Sequence, residues 1–146
     1  MKSSSDIIHP HVTYGQLRGI AEQLGVNVWS QELPEGVAGC YDDEYHAIVI
    51  DRNMTYRRKR CALVHELIHW LHGDVACQWT IDTRIEMRTR RETAMALVAL
   101  EEYAQAENVY DGDIRLIAAE LDVTRQVAED YRGMVLAPLR DECMAL

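Results

Sequence analysis

The segment Cys61–Asp74, CALVHELIHWLHGD, places three histidines and a glutamate in an otherwise apolar stretch of the chain. Its aliphatic residues and its tryptophan recur on nearly every side of a helix, which predicts a central helix rather than a surface helix. Polar side chains buried in such a helix destabilise the fold unless a partner compensates them. This stretch therefore predicts the centre of the fold and, in the same place, a functional site.

His65, Glu66 and His69 form the pattern H-E-x-x-H on this helix. Residues four apart are separated by about 40° around a helix and by roughly 6 Å along it, so both imidazoles can reach one ion. Glu66 lies beside that face, where a carboxylate can hold a water molecule without binding the metal. Zinc-dependent peptide hydrolysis requires this division of roles. We therefore predict a Zn²⁺ site with His65 and His69 as ligands and Glu66 as the catalytic base.

A catalytic zinc ion usually has three protein ligands, and three residues compete for the third position. His72 lies on the right face of the helix but one turn further along. Glu86 is expected to form a capping box with Thr83 and to lie on a hydrated face. Glu92 lies on a face of small and apolar residues, where a buried carboxylate needs a cation. We therefore predict Glu92 as the third ligand, with His72 and Glu86 as alternatives.

The remainder of the chain predicts an α+β fold, in which a small antiparallel sheet packs against a helical bundle. A capping box at Thr13 and Gln16 opens the first helix, Gly25 ends it, and Pro138 is expected beyond the last helix. Strands are predicted at Val26–Trp29, Val37–Tyr41 and Tyr45–Ile50, and helices at about 13–24, 56–72, 84–107, 113–121 and 125–136.

Length and composition favour one domain spanning residues 1–146, with a loose lead-in at 1–12 and a C-terminal tail at 139–146. The net charge of −9 argues against nucleic acid as a partner, since phosphate binding needs concentrated lysine and arginine. The four cysteines have no disulfide-like spacing, which favours a reducing, cytoplasmic setting. No run of 18 apolar residues occurs, so a membrane partner is not expected.

The sequence resembles the ImmA/IrrE family of metallopeptidases over roughly residues 13–136. In that family H-E-x-x-H is followed by E-x-x-A-x-x-F-A on the next long helix. Glu92–Ala99, ETAMALVA, is interpreted as this second motif, with Glu92 at the ligand position. Met95 and Val98 replace its alanine and phenylalanine, so the second motif matches more loosely than the first. The resemblance implies a zincin-like fold with a central H-E-x-x-H helix.

The resemblance also implies a zinc-dependent endopeptidase that cleaves a regulatory protein. In the family the usual target is a helix-turn-helix repressor of a prophage or mobile element, and this chain resembles the stand-alone, phage-type members. A location in the bacterial host cytoplasm follows from that expectation. The alternative is a zinc-containing binding module that sequesters a regulator without cleaving it. The sequence does not indicate the oligomeric state.

Two further features of the site are expected from the mechanism. An extended substrate could add to the edge of the hairpin near Gly39–Tyr41. A second group should stabilise the oxyanion of the tetrahedral intermediate. Tyr103, Tyr131 and Arg132 are the candidates, and the sequence does not favour one of them.

Overall fold

The computed structural model describes residues 3–74 and 82–145. The predicted α+β class is confirmed, with three strands in one sheet and helices packed against it. Within the described ranges, no helix is long and apolar enough to cross a membrane. The elements are α1 (Ser4–Ile7), α2 (Tyr14–Leu24), β1 (Asn27–Gln31), β2 (Gly39–Asp42), β3 (Ala47–Asp51), α3 (Tyr56–Leu71), α4 (Thr83–Leu97), α5 (Leu100–Val109), α6 (Ile114–Glu120), α7 (Arg125–Asp130), a π-helical segment (Tyr131–Leu136) and α8 (Ala137–Met144).

The sheet has the strand order β1-β3-β2 and is mixed. The predicted hairpin is confirmed, because β2 and β3 pair antiparallel. The expectation of a wholly antiparallel sheet is wrong, because β1 pairs parallel to β3. The loop at 32–38 carries the chain past the end of β3 from one edge of the sheet to the other. Since this loop also reverses the chain, β1 and β2 run in opposite directions on either side of β3.

The core is built on β3 and α3. Ala47–Ile50 is buried along its whole length, as expected for a strand covered on both faces. α3 begins after Thr55, whose side chain accepts a hydrogen bond from the Arg58 amide, and it ends at Leu71. Its position at the centre of the molecule is confirmed. Four of its aliphatic side chains are fully buried: Leu63, Val64, Leu67 and Ile68.

The long helix predicted at 84–107 is wrong, because the structure contains two helices there. Val98 and Ala99 are extended and separate α4 from α5. Val98 is buried, so packing in the core breaks the helix where the sequence carries neither glycine nor proline. The predicted cap is also wrong, since Asp82 is the N-cap of α4 and accepts from the Arg84 amide. Glu86 therefore does not cap this helix.

Residues near both ends of the described part of the chain pack against the core or are helical. In the N-terminal lead-in, Ile8 and Val12 are buried, and Arg60 on α3 donates hydrogen bonds to the backbone carbonyls of Pro10 and Val12. At the other end, α7 continues through the π-helical segment into α8, so the residues from 139 to 144 are helical. The expectation that Pro138 lies beyond the last helix is wrong, because it lies within this continuous helical run, near the start of α8.

The cysteine prediction is tested only in part. Cys61 is a buried thiol, and burial raises its pKa, while Cys143 is an exposed thiol. Cys77 lies outside the described residues. The cytoplasmic location that was inferred from the cysteine spacing stays a prediction.

Candidate metal centre

α3 presents His65 and His69 on one face, as the spacing of four residues predicts. Their ring centroids lie 4.9 Å apart, with an angle of 73° between the ring planes. His69 is buried and His65 is half-buried. The two rings therefore lie next to each other on one face of α3, and the ring of His69 faces the interior.

Glu86 on α4 joins the two histidines. Its Oε1 lies 3.0 Å from Nε2 of His65, and its Oε2 lies 3.1 Å from Nε2 of His69. Thr89 and Thr93, one and two turns further along α4, are buried and small. They face α3 together with Glu86, and so the two helices approach closely enough for the carboxylate to bridge the rings.

Two histidines and one glutamate are a donor set that catalytic zinc sites use. Each of the three residues offers a ligand atom, and these atoms all lie within 4.8 Å of one another. With metal–ligand distances near 2 Å, the edges of a tetrahedral site measure roughly 3.3 Å. The two nitrogen–oxygen contacts, 3.0 and 3.1 Å, are close to that value. The residues therefore fit a small divalent metal ion.

Glu92 does not lie in this cluster. Its Oε2 is 2.7 Å from Nε2 of His72, which lies one helical turn beyond His69 and two turns beyond His65. This placement corrects the expectation that Glu92 accompanies His65 and His69, and it also leaves His72 outside the cluster. Glu86, the alternative with the weaker sequence argument, occupies the position instead.

The error has a physical explanation in the orientation of α4. Arg90 and Thr93 suggested a hydrated face around Glu86. The hydroxyls of Thr89 and Thr93, however, each donate to a backbone carbonyl one turn earlier, those of Ile85 and Thr89. A threonine with such a bond can be buried without leaving its hydroxyl unsatisfied. If the second family motif is read from Glu86, Thr89 and Thr93 fall at its two alanine positions. This alternative alignment is the sequence signal that could have identified Glu86 as the third residue of the cluster.

Glu66 lies beside the cluster and lines the same cavity. Burial raises the pKa of its carboxyl group, and the nearby His65 and His69 oppose that rise. Glu66 is therefore a carboxylate with increased affinity for a proton, placed next to the three residues of the candidate metal site.

The charges in the cluster support one another. Hydrogen bonds from His65 and His69 hold the pKa of Glu86 well below its usual range, so this carboxylate is ionised near neutral pH. Burial alone would lower the pKa of His69, but its hydrogen bonds to Glu86 and Asp74 outweigh burial and raise it. The cluster is thus a carboxylate held between two imidazoles, and a metal cation bound there would take the place of the protons in these hydrogen bonds.

The cluster opens into a cavity of about 630 Å³. Gly39–Tyr41 on β2, an edge strand of the described sheet, forms one wall. The opposite wall comes from α4 and α7 and includes Arg90, Gln126 and Asp130. The Arg90 guanidinium donates two hydrogen bonds to the buried Asp130 carboxylate, at 3.0 and 2.6 Å. This pair joins α4 to α7 and fixes that wall.

The three candidates for stabilising an oxyanion lie elsewhere. Tyr103 and Tyr131 are buried, and their ring centroids are 5.1 Å apart. Arg132 donates to the Tyr103 hydroxyl and to the carbonyl of Gly112, each at 2.8 Å. None of the three lines the cavity described above. The structure therefore gives them a packing role and does not bring them to the site.

Gly39 allows β2 to approach Glu66 closely. A Cβ atom at this position would lie 3.0 Å from Cδ1 of Ile50, 3.2 Å from Cγ of Glu66 and 3.3 Å from the carbonyl oxygen of Val49. The first two neighbours are side chains that could shift, but the third is backbone. Any larger residue at position 39 must therefore displace β2 or the side chain of Glu66.

We expect Gly39→Ala to lower the free energy of unfolding by about 1–3 kcal/mol through overpacking. Urea denaturation measures the change. Gly19→Ala is the matched control, because a Cβ at Gly19 meets nothing within 4 Å and the residue lies inside α2. The control should stabilise the protein by about 0.5–1 kcal/mol. Equal effects of the two substitutions would contradict the close approach at Gly39.

Comparisons with known proteins indicate a peptidase family and a related fold. The profile of a peptidase family described as the IrrE N-terminal-like domain matches residues 21–130. A solved structure, a Mycobacterium tuberculosis transcriptional regulator, superposes with a TM-score of 0.59 at 15% sequence identity. The match covers 80% of this chain and 40% of that protein, and at this identity it indicates the fold alone. A search of curated proteins finds no significant match.

Proposed function

This chain belongs to the peptidase family of the IrrE N-terminal-like domain, and on that premise we propose that it is a zinc-dependent endopeptidase that cleaves a regulatory protein. One observation carries the proposal most directly. The Glu86 carboxylate bridges His65 and His69 in a cavity that also contains Glu66. The chain therefore combines a candidate ligand set with a separate acid–base group.

The acid–base group has a defined task in this reaction. Zinc held by His65, His69 and Glu86 would supply Lewis-acid polarisation of a peptide carbonyl and would lower the pKa of a water molecule. Glu66 would accept a proton from a water molecule at this position while the oxygen of the water forms a bond to the carbonyl carbon. Glu66 then transfers the proton to the amide nitrogen as the C–N bond breaks. The raised pKa of Glu66 supports this exchange, because a carboxylate with a higher pKa accepts a proton from water more readily than an ordinary one.

The substrate is proposed from the family and from the cavity. Membership in a peptidase family implies a protein substrate. The extended wall at Gly39–Tyr41 runs beside Glu66, so a substrate segment in an extended conformation would bring a peptide bond next to the acid–base group. A helix-turn-helix repressor as the target follows from the resemblance to the ImmA/IrrE family, and the regulator with a similar fold is compatible with it.

Metal removal tests the reaction. The zinc-loaded protein is incubated with candidate helix-turn-helix repressors as the regulator, and the products are followed by mass spectrometry. We expect discrete fragments, their loss after treatment with 1,10-phenanthroline, and their return after one equivalent of zinc is added. Calcium serves as the control, because a site of two imidazoles and one carboxylate does not suit a cation that prefers oxygen ligands. Cleavage that continues at the original rate after the metal is removed would contradict the proposal.

A further inference from the structure

Asp74 lies next to His69 because of how α3 ends. Gly73 follows the helix in the left-handed conformation, with φ of +72°, and turns the chain back along α3. The Asp74 amide donates to the carbonyl of His69 at 2.9 Å. Its carboxylate Oδ2 then lies 3.1 Å from Nδ1 of the same histidine. The side chain of Asp74 is only 11% exposed, so this contact is largely shielded from water.

The ring of His69 is thus held at both nitrogens. Nε2 faces Glu86 and the candidate metal site, whereas Nδ1 faces Asp74. Because a carboxylate only accepts hydrogen bonds, Glu86 orients an N–H at Nε2 in the same way that Asp74 orients one at Nδ1. A metal ion at the site would take the place of the Nε2 proton, and Asp74 then favours the tautomer that keeps the remaining proton on Nδ1. That tautomer leaves the lone pair of Nε2 directed at the position where a metal would bind.

Two residues of α4 support the contact. Arg88 donates a hydrogen bond from Nη2 to the same Oδ2 of Asp74. The hydroxyl oxygen of Thr89 lies 3.3 Å from Nδ1 of His69, and its own hydrogen is donated to the carbonyl of Ile85. Its lone pairs can therefore accept from the imidazole. α4 consequently carries both the bridging Glu86 and the two residues that surround Asp74 and its histidine.

We propose that Asp74 is a positioning residue for the metal site, which fixes the tautomer and the ring orientation of His69 and is itself anchored by Arg88. This inference rests on the proposed function, because it assigns Asp74 to the same metal centre. Residues that hydrogen-bond a metal-binding histidine raise its basicity as a ligand, and their loss weakens metal affinity by roughly 10–100-fold.

The test measures the dissociation constant of zinc by competition with a chromogenic chelator. Asp74→Ala is expected to raise this constant roughly 10–100-fold. Asp74→Asn should show a smaller increase, because the amide oxygen can still accept from Nδ1. Glu92→Gln is the matched control, since Glu92 also contacts a histidine, but 2.7 Å from His72 and outside the cluster. The control should bind zinc as the wild type does.

A second readout separates positioning from a merely structural role. The ¹⁵N chemical shifts of the His69 ring, measured in the zinc-free protein at alkaline pH where the ring is neutral, report how its proton is shared between Nδ1 beside Asp74 and Nε2 beside Glu86. Asp74→Ala should shift this tautomer balance away from Nδ1–H. If Asp74→Ala fails to fold, as judged by thermal unfolding, Asp74→Asn decides the question. Unchanged affinity and an unchanged tautomer balance in the folded variant would overturn the inference alone. Absence of zinc binding by the wild type would overturn the proposed function with it.

Discussion

Replacement of Glu66 by glutamine is expected to leave zinc bound and to slow peptide cleavage by roughly 10²–10⁴-fold. Glutamine has nearly the same size, but its amide cannot accept a proton from water and release it to the leaving nitrogen. Glu66 is not one of the three residues whose ligand atoms cluster, so the variant keeps the candidate ligand set intact. Initial rates on the regulator, together with elemental analysis of the purified protein, measure the two quantities side by side.

Glu92→Gln is the control for this experiment, because it makes the same chemical change outside the cluster and should leave the rate of cleavage unchanged. If Glu66→Gln cleaves the regulator at the wild-type rate, Glu66 is not the general base. If the wild type and Glu66→Gln both bind the regulator and neither cleaves it, the result favours the alternative in which the chain sequesters its partner. The experiment therefore distinguishes the two functions as well as testing Glu66.

Replacement of Glu86 by alanine is expected to abolish zinc occupancy, whereas Glu92→Ala should retain it. Glu86 contacts both histidines of the motif, and Glu92 contacts only His72. Loss of a direct ligand should weaken zinc binding by more than the roughly 10–100-fold expected for an outer hydrogen-bonding partner. Elemental analysis after dialysis against a weak chelator gives the zinc content of each variant.

Circular dichroism and thermal unfolding are needed beside this measurement, because Glu86 also contacts both histidines and its loss could destabilise the fold. If a folded Glu86→Ala protein keeps its zinc and a Glu92→Ala protein loses it, Glu92 is the third ligand, as the sequence predicted. In that case the contact between Glu86 and the histidines would belong only to the metal-free protein.

The central helix could be predicted because its signals are local. The capping threonine before Tyr56, the apolar residues on nearly all its faces and the glycine after His72 specify where it begins, what surrounds it and where it ends. Spacing alone then placed His65 and His69 on one face. The direction of β1 was not predictable in this way, since it depends on the path of a loop past another strand.

The third residue of the cluster depended on tertiary structure. Which face of α4 meets α3 is decided by the buried Thr89 and Thr93, and threonine alone does not distinguish a buried face from a hydrated one. The prediction of Glu92 also assumed one long helix through residue 107, whereas extended residues end α4 at Leu97. The same argument applies to Asp74, whose position follows from Gly73 and was visible in the sequence only as a glycine before an acidic residue.

We propose that this chain hydrolyses a peptide bond at the site formed by His65, Glu66, His69 and Glu86. The most direct measurement compares the protein N-termini in bacterial cells that express the regulator with either the wild type or Glu66→Gln. We expect a new N-terminus within the regulator that occurs only with the wild type. Identical sets of N-termini from the two cultures, with both proteins folded and loaded with zinc, would contradict it.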